Sequence, residues 1–222
     1  MVVTEEAFAA TAAGLLARAI AGVPGRPIAI ALAGGTTPRR AYRALAAHRD
    51  LPWGSVRVFF GDERAVGPDD EASNYRMARE SLLSHVPVLA SHVFRMPAER
   101  PDREAAAAEY EAVLPDALDV LVLGIGSDGH TASLFPGAPV LRETVRLVRP
   151  ALGPDPPRER LTITPPVIAR ARTVIVLASG AEKAAAVKAA LEGAYDPRAC
   201  PAQLARDALW FLDTAAASAL MT

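Results

Sequence analysis

Short apolar runs alternate with alanine-rich stretches of helical periodicity along almost the whole chain. The runs predict strands at residues 27–33, 56–60, 120–123, 145–148, 161–164, 173–178 and 209–212. The stretches between them predict helices at residues 5–21, 38–47, 74–84, 103–114 and 182–191, with a last short helix after Asp213. This alternation favours an α/β fold, with a mostly parallel twisted sheet and helices on both faces. The proline-rich residues 150–157 are predicted to form a loop within a single domain spanning residues 1–222.

The bulk composition narrows the range of partners. The chain has 222 residues, of which 51% are hydrophobic and 22% charged, and a formal net charge of −1. Because no dense block of Lys and Arg is present, we expect no nucleic-acid partner and no binding to an anionic membrane. Glu5 and Glu6 stand where a signal peptide would be basic, and no apolar run approaches the ~20 residues that span a bilayer. We therefore expect a cytoplasmic protein that binds a small molecule.

Cysteine and histidine are too sparse to suggest a metal centre. Cys200 is the single cysteine, and His48, His85, His92 and His130 never stand four residues apart, as a helical zinc motif requires. We therefore expect neither a metal nor another cofactor, and we expect Cys200 to be an inert thiol.

The segment Gly-Ile-Gly-Ser-Asp-Gly-His-Thr-Ala-Ser-Leu-Phe-Pro at residues 124–136 places an imidazole on a glycine-rich turn directly after a predicted strand. Ligands of open parallel sheets bind at the carboxyl ends of the strands, so His130 stands where a catalytic base is expected. Asp128 is expected to hold one tautomer of the ring. A lone histidine is more often structural, but this position beside an aspartate favours a catalytic role.

The same glycines spell G-x-G-x-x-G, so a dinucleotide site is an alternative. That fingerprint needs a long helix beginning at the last glycine, whereas Pro136 and Gly137 end any helix here after little more than one turn. Glu143 lies about 20 residues on, but it precedes the next apolar run instead of following it. We therefore interpret the glycines as a scaffold that exposes Asp128 and His130.

The turn at residues 33–38 has the composition of an anion-binding turn. Gly34 and Gly35 let the backbone approach a phosphate closely, at the point where a helix dipole would favour negative charge. A threonine of this turn can cap the following helix, with Pro38 at the first helical position. A well-capped turn without a ligand is the alternative.

Two further strand ends carry cations. At residues 60–64, Arg64 can clamp a phosphate while Asp62 and Glu63 orient its guanidinium, although a surface salt-bridge cluster is equally compatible. At residues 179–183, Ser179 and Glu182 have the spacing of a capping box, which puts Lys183 in the first helical turn. The dipole disfavours a cation there unless an anion binds, and a solvated lysine is the alternative. Because all these turns follow parallel strands, we expect them to converge on one pocket.

Together these segments resemble the 6-phosphogluconolactonases, of the family that shares a fold with glucosamine-6-phosphate deaminases and is broadly related to ribose-5-phosphate isomerases. The resemblance spans nearly the whole chain, at residues 34–38, 62–64, 73–75, 124–136, 160–164, 180–183 and 210–213. The deaminases usually continue Gly-His with Ile-Ala-Phe-Asn-Glu-Pro and have Asp-Glu-Tyr in the second segment. This chain has Thr131 after Gly-His and Arg64 after Asp-Glu, so at both positions it resembles the lactonases. It also has Ala33 and Thr36 where the family commonly has serines.

The resemblance implies a modified Rossmann-like sheet and hydrolysis of 6-phosphoglucono-δ-lactone to 6-phosphogluconate in the oxidative pentose phosphate pathway. His130 would then act as general base on water, with Asp128 beside it. Contacts to the substrate and its phosphate are expected from Gly34, Gly35, Thr36, Asp62, Arg64, Arg160 and Lys183. An amino-sugar-phosphate deaminase or isomerase and a non-enzymatic sugar-phosphate sensor are the alternatives. We expect a monomer or a weak homo-oligomer.

Overall fold

The computed structural model describes residues 1–23 and 27–221. Its strands are β1 Val2–Val3, β2 Ile28–Leu32, β3 Val56–Phe60, β4 Asp62–Arg64, β5 Val120–Gly124, β6 Val148–Leu152, β7 Glu159–Ile163, β8 Thr173–Ala178 and β9 Leu209–Asp213. Its α-helices are α1 Glu5–Ala21, α2 Thr36–Leu45, α3 Asn74–Ala78, α4 Arg103–Val113, α5 Pro165–Arg170 and α6 Ala184–Leu191. A π-helical turn lies at Arg79–Leu83, and short 3₁₀ helices lie at Trp53–Ser55, Ala90–His92, Pro139–Arg142, Ala181–Lys183 and Pro201–Ala205.

A parallel sheet forms the centre of the molecule, with its six strands in the order β1-β9-β8-β5-β2-β3. Its inner strands β2 and β5 are short, apolar and almost entirely buried. Such continuous burial is typical of a parallel sheet with helices on both faces, because neither face meets water. The predicted α/β fold with a mostly parallel sheet is confirmed.

The direction in which the chain adds strands reverses once. The chain places β2 and β3 toward one edge of the sheet, whereas β5, β8 and β9 are added toward the other. Because such crossovers are right-handed, α1 and α2 cover one face and α4, α5 and α6 the other. α1 and α2 pack against each other, as this arrangement requires. The connections after the neighbouring strands β2 and β5 therefore leave on opposite faces, which opens a crevice beyond their carboxyl ends.

Two of the predicted strands lie outside the main sheet. The runs at residues 145–148 and 161–164 were expected to join it, but β6 and β7 form a separate antiparallel sheet with β4. That expectation was wrong because β4 follows β3 after a single residue, Gly61, and provides β7 with another partner. β6 also begins only at Val148 and continues through Pro150, so the predicted loop starts after it. Val145 is exposed in a turn whose N–H groups donate to Glu143.

Three helix predictions also need correction. The helix expected at residues 74–84 is α-helical only over Asn74–Ala78 and continues as the π-helical turn. α2 begins at Thr36 after an N-cap at Gly35, so the cap is a glycine and not a threonine, and Pro38 is not the first helical residue. After Asp213 the chain forms turns in place of a short helix, with the Ala216 N–H donating to the Asp213 carboxylate.

The apolar side chains between sheet and helices form one continuous buried cluster. Its largest fully buried members include Trp53, Tyr42, Tyr110, Phe8 and Phe59. Over residues 1–23 and 27–221, no helix has the length and apolar character needed to cross a membrane.

Two of the buried tyrosines form hydrogen bonds with the backbone at the carboxyl ends of neighbouring strands. The Tyr42 hydroxyl accepts from the Ala33 N–H at 2.9 Å and donates to the Ala33 carbonyl at 3.2 Å. The Tyr110 hydroxyl accepts from the Phe60 N–H at 2.8 Å and donates to the Phe94 carbonyl at 3.2 Å. Burial raises the pKa of both phenols, so they stay neutral. The chain can leave the sheet after β2 and β3 because these hydroxyls satisfy the buried backbone.

Replacing Tyr42 with phenylalanine should lower the free energy of unfolding by about 1–3 kcal/mol, because the buried N–H and carbonyl of Ala33 lose their partner. Denaturant-induced unfolding measures the change. Tyr195→Phe removes an exposed hydroxyl and serves as the control, with an expected change below about 0.5 kcal/mol. Equal losses in the two variants would contradict the role of the Tyr42 hydroxyl.

Candidate active site

A cavity of about 180 Å³ lies at the crevice beyond β2 and β5. Its lining includes every predicted site residue except Asp128, namely Gly34, Gly35, Thr36, Asp62, Arg64, His130, Arg160 and Lys183. These residues come from the segments that follow β2, β5 and β8 and from β4 and β7. The structure therefore brings together turns that are far apart in the sequence, at one edge of the sheet.

The turn after β2 is shaped by its two glycines. A Cβ atom on Gly34 would lie 1.9 Å from Oδ1 of Asn74, so only glycine lets that amide pack against the backbone. Gly35 has a φ of 102° and forms the N-cap of α2. No side-chain hydrogen bond caps this helix within the described chain, and its first residues, Thr36 and Thr37, line the cavity. Free N–H groups at a helix N-terminus suit an anion.

Glu63 holds the segment that follows β4. Its buried carboxylate accepts from the backbone N–H groups of Arg64, Asn74 and Tyr75 at 2.7 to 2.8 Å, and from the Ser73 hydroxyl at 3.0 Å. Burial raises the pKa of Glu63 in spite of these donors. The expectation that Asp62 and Glu63 orient the Arg64 guanidinium was wrong, because the two carboxylates accept from backbone, hydroxyl and amide groups instead.

Arg64 and Arg160 stand directly opposite each other on β4 and β7. Arg64 donates from Nη1 to the Ala72 carbonyl at 2.6 Å, whereas its buried Nε has no hydrogen-bond partner among the described residues. Arg160 donates from Nε to the Pro157 carbonyl at 2.9 Å. Burial and the nearby charge of Arg64 lower the pKa of Arg160. Like charges that face each other across a sheet repel, and a bound anion would remove that repulsion.

Lys183 reaches the cavity from the 3₁₀ turn after β8. The capping box expected between Ser179 and Glu182 is absent, because the Ser179 hydroxyl donates to Asp213 at 2.8 Å and no side chain caps the turn in the described structure. Across residues 1–23 and 27–221, neither Lys183 nor the two cavity arginines form an ion pair with a carboxylate. Three cations of the cavity are thus available to a ligand.

His130 and Asp128 form a hydrogen-bonded pair. Nδ1 lies 2.6 Å from Oδ1 of Asp128, which also accepts from the His130 backbone N–H at 3.1 Å. Burial opposes ionisation of Asp128, but the His130 hydrogen bonds and ring charge hold the pKa of this carboxyl below its usual value. Because an ionised carboxylate only accepts, the neutral form of the ring carries its proton on Nδ1 and keeps a lone pair on Nε2. A Cβ atom on Gly126 would lie 2.1 Å from Nδ1, so the ring position requires glycine.

The loop after His130 is tied to the small antiparallel sheet. The Ser133 hydroxyl donates to Oδ2 of Asp62 at 2.6 Å, and the Ser133 N–H donates to Oγ1 of Thr162 at 3.1 Å. Ala132, which lies between His130 and Ser133 in the chain, has a φ of 48°. This left-handed conformation costs free energy and persists only where the surroundings hold it. Asp62 therefore sets where the His130 loop lies relative to Arg64.

The dinucleotide alternative lacks its structural context. The chain makes a turn at Gly129, and the next helical element is the short 3₁₀ helix Pro139–Arg142. In the part of the chain that the structure describes, no group of three or more His, Cys, Asp or Glu side chains could hold a metal ion. Cys200 is buried against Gly129, and burial raises the pKa of its thiol, which lowers its reactivity.

Sequence reasoning missed several residues that build the site. Asn74 lines the cavity, and its Nδ2 donates to the backbone carbonyl and the carboxylate of Asp62. Asp213 holds the turn before Lys183. Both residues lie in segments that carry the family resemblance, and this resemblance could have identified them as site residues. Tyr42 has no such signal, because one aromatic residue on the apolar face of a helix is typical of any core.

The family model described as glucosamine-6-phosphate isomerases/6-phosphogluconolactonase matches residues 3–211. The chain belongs to this family. Among curated members, the 6-phosphogluconolactonase of Synechocystis sp. is 40% identical over 197 residues, which cover 83% of this chain and 81% of the relative.

Solved structures of the family have the same fold. The 6-phosphogluconolactonase of Trypanosoma brucei is 33% identical, with a TM-score of 0.86 over 100% of this chain and 98% of the other. A monomeric glucosamine-6-phosphate deaminase is 25% identical, with a TM-score of 0.84 over 98% of each chain. The fold therefore does not by itself separate the two activities of the family.

Asp128 should stabilise the fold in a pH-dependent way. Because its pKa in the folded protein lies below the usual value of 3.8, its ionised form adds stability above that value, and this stability is lost as the pH falls through the folded-state pKa. Asp128→Asn removes the titration. Denaturant unfolding from about pH 7 to about pH 2 should show the advantage of the unchanged protein over the variant shrinking toward acid. An advantage that grows on acidification would contradict the assignment.

Proposed function

We propose that the protein hydrolyses 6-phosphoglucono-δ-lactone to 6-phosphogluconate, a step of the oxidative pentose phosphate pathway. One observation carries the proposal: Arg64, Arg160 and Lys183, which have no carboxylate partner among the described residues, line the same small cavity as His130, whose ring is oriented by Asp128. Cations suit a phosphate ester, and an oriented imidazole suits activation of water. The identity of 40% to a curated 6-phosphogluconolactonase supports it.

The phosphate is assigned to the N-terminal end of α2. Gly34, Gly35 and Thr36 supply backbone N–H groups there, and the helix dipole favours negative charge. Arg64 and Lys183 add charge-assisted hydrogen bonds, and the buried Nε of Arg64 is a donor without a partner among the described residues.

Arg160 is assigned to the sugar portion of the substrate, and Asp62 mainly to support of the site. Arg160 is held by the Pro157 carbonyl and lies opposite Arg64, so its remaining donors can orient a substrate oxygen. Asp62 lines the cavity, but its carboxylate already accepts from Ser133 and Asn74. Its main contribution is therefore to hold the loop that carries His130.

His130 is the proposed general base. The hydrogen bond to Asp128 keeps one proton on Nδ1. Nε2 can therefore accept a proton from water as the water oxygen attacks the lactone carbonyl carbon. The tetrahedral intermediate then collapses, the bond from that carbon to the ring oxygen breaks, and His130 returns the proton to the departing oxygen. A lactone is an activated ester, so direct attack suffices and no covalent intermediate is required. The chain also has no serine in a nucleophile elbow.

Deamination or isomerisation of an amino-sugar phosphate is the rival activity on this fold. Two assays of the protein distinguish the activities. One measures lactone hydrolysis on freshly prepared substrate, corrected for spontaneous hydrolysis, and the other measures ammonia release from glucosamine 6-phosphate. We expect hydrolysis without ammonia, because residues 131–136 contain no carboxylate. Ammonia release without hydrolysis would overturn the proposal, and binding of both sugar phosphates without turnover would indicate a sensor.

Some expectations from the sequence stay predictions. These are the single domain over residues 1–222, the cytoplasmic location, the monomeric or weakly associating state, and the lack of nucleic-acid and membrane partners. None of them is needed for the chemistry proposed here.

His130→Gln should lower kcat for the phosphorylated lactone by about 10²–10⁴-fold, because water loses its general base. The melting temperature should change little, since glutamine can keep a hydrogen bond to Asp128. His85→Gln, at an exposed histidine outside the cavity, is the matched control and should keep normal turnover. Near-normal kcat in His130→Gln would remove His130 from the base role.

Lys183→Ala should raise KM for the phosphorylated lactone by an amount corresponding to roughly 1.5–3 kcal/mol, the worth of a charge-assisted hydrogen bond. Steady-state kinetics measure it. Lys188→Ala is the control, because Lys188 pairs with Glu192 outside the cavity. If KM is the same in both variants, Lys183 does not contact the phosphate.

A further inference from the structure

We propose that Asp213 is a positioning residue that sets the backbone of the Lys183 turn and so controls affinity for the phosphate group of the substrate. The inference rests on the proposed function, in which Lys183 contacts that phosphate. Asp213 is the last residue of β9 and is not among the residues that line the cavity. It would therefore act through Lys183 and not through the substrate.

The carboxylate of Asp213 is only 1% exposed and is fully engaged by donors. Its Oδ1 and Oδ2 accept from the Gly180 N–H at 3.1 and 3.0 Å, and Oδ2 accepts from the Ser179 hydroxyl at 2.8 Å. Oδ1 also accepts from the Ala216 N–H at 2.7 Å. Two of the three donors thus belong to the start of the turn that carries Lys183.

The turn depends on this carboxylate because no side chain in the described part of the chain caps its 3₁₀ helix. Gly180 has a φ of 101°, and the chain changes direction there before the 3₁₀ helix Ala181–Lys183. The Lys183 N–H donates back to the Gly180 carbonyl at 3.1 Å, so the orientation of Gly180 is passed directly to Lys183. Displacing an ammonium group by about 1 Å takes its hydrogen bond to a bound oxygen outside the normal distance range.

The main sheet places Asp213 with little freedom. Ala178 and Leu212 are paired in the parallel register of β8 and β9, so Asp213 lies beside Ser179 one residue further on. The next residue, Thr214, donates its N–H to the Val3 carbonyl of β1 at 2.9 Å, which holds the end of β9 from the other side. A rigid strand therefore supplies the acceptor for a turn that would otherwise be uncapped.

Asp213→Asn keeps the shape of the side chain but removes its charge and one acceptor oxygen. We expect KM for the phosphorylated lactone to rise about 3- to 30-fold while kcat stays within about twofold, because binding is lost without loss of the general base. kcat/KM for the corresponding unphosphorylated lactone should not change. An unchanged KM for the phosphorylated substrate, or an equal loss on both substrates, would overturn the inference.

A double-variant cycle tests whether Asp213 acts through Lys183. In Lys183→Ala the cation is gone, so adding Asp213→Asn should raise KM no further. Additive increases in KM would show that Asp213 acts by another route and would overturn the proposal. Ser81→Ala, which removes a buried hydroxyl donating to the Met77 carbonyl outside the cavity, is the control for general loss of stability.

Hydrogen exchange separates this inference from the proposed function. The amides of Gly180 and Lys183 should exchange faster in Asp213→Asn than in the unchanged protein or in Ser81→Ala, whether or not the protein hydrolyses the lactone. If exchange rises but the unchanged protein shows no lactonase activity, the proposed function fails and the link to phosphate affinity fails with it. Unchanged exchange at both amides refutes the positioning role alone. Should Asp213→Asn not fold, Asp213→Glu moves the carboxylate by one methylene and predicts the same rise in KM and in exchange.

Discussion

A hydrogen bond of 2.6 Å between the buried Ser133 hydroxyl and Asp62 joins the two halves of the candidate site. Ser133 belongs to the loop that leaves β5 with His130, and Asp62 begins β4, which follows β3 and carries Arg64. In the sheet β5 and β3 lie on either side of β2. The bond therefore connects segments that follow strands β5 and β3, which flank the strand whose following turn is proposed to hold the phosphate. Together with the Ser133 N–H bond to Oγ1 of Thr162 on β7, it ties the loop that carries the base to the small sheet that carries the arginine.

Buried carboxylates anchor the backbone of this site, and its cations are left for a ligand. Asp62, Glu63 and Asp213 accept from backbone N–H, hydroxyl and amide groups, which satisfies them without neutralising the cavity. Burying a charge is tolerable only when hydrogen bonds replace its lost water, and these donors supply that replacement. The overall net charge is only −1. The cavity is nevertheless positive, because the nearby carboxylates accept hydrogen bonds from backbone, hydroxyl and amide groups and do not pair with its cations.

Much of the main sheet could be predicted because its strands are local patterns. The runs at residues 56–60 and 173–178 became β3 and β8 with the predicted bounds, and the helix at residues 5–21 became α1. The run at residues 145–148 failed because apolar composition cannot distinguish a strand from a turn whose N–H groups are held by Glu143. The antiparallel sheet was missed because β4 is three residues long and polar, and such a strand has no hydrophobic period to detect.

The sequence by itself determined the main alternation of helices and strands, the glycine turn that exposes His130 beside Asp128, and the motifs that link the chain to its family. Tertiary structure alone decided which acceptors serve which donors. Ser133 and Asp62 are 71 positions apart, and Gly180 and Asp213 are 33 apart. Such partners depend on which strands become neighbours and on the single reversal of strand order between β2 and β5. Periodicity reports which face of an element is buried, but hydrogen bonds between loops are specified only when the assembled sheet brings their ends within about 3 Å.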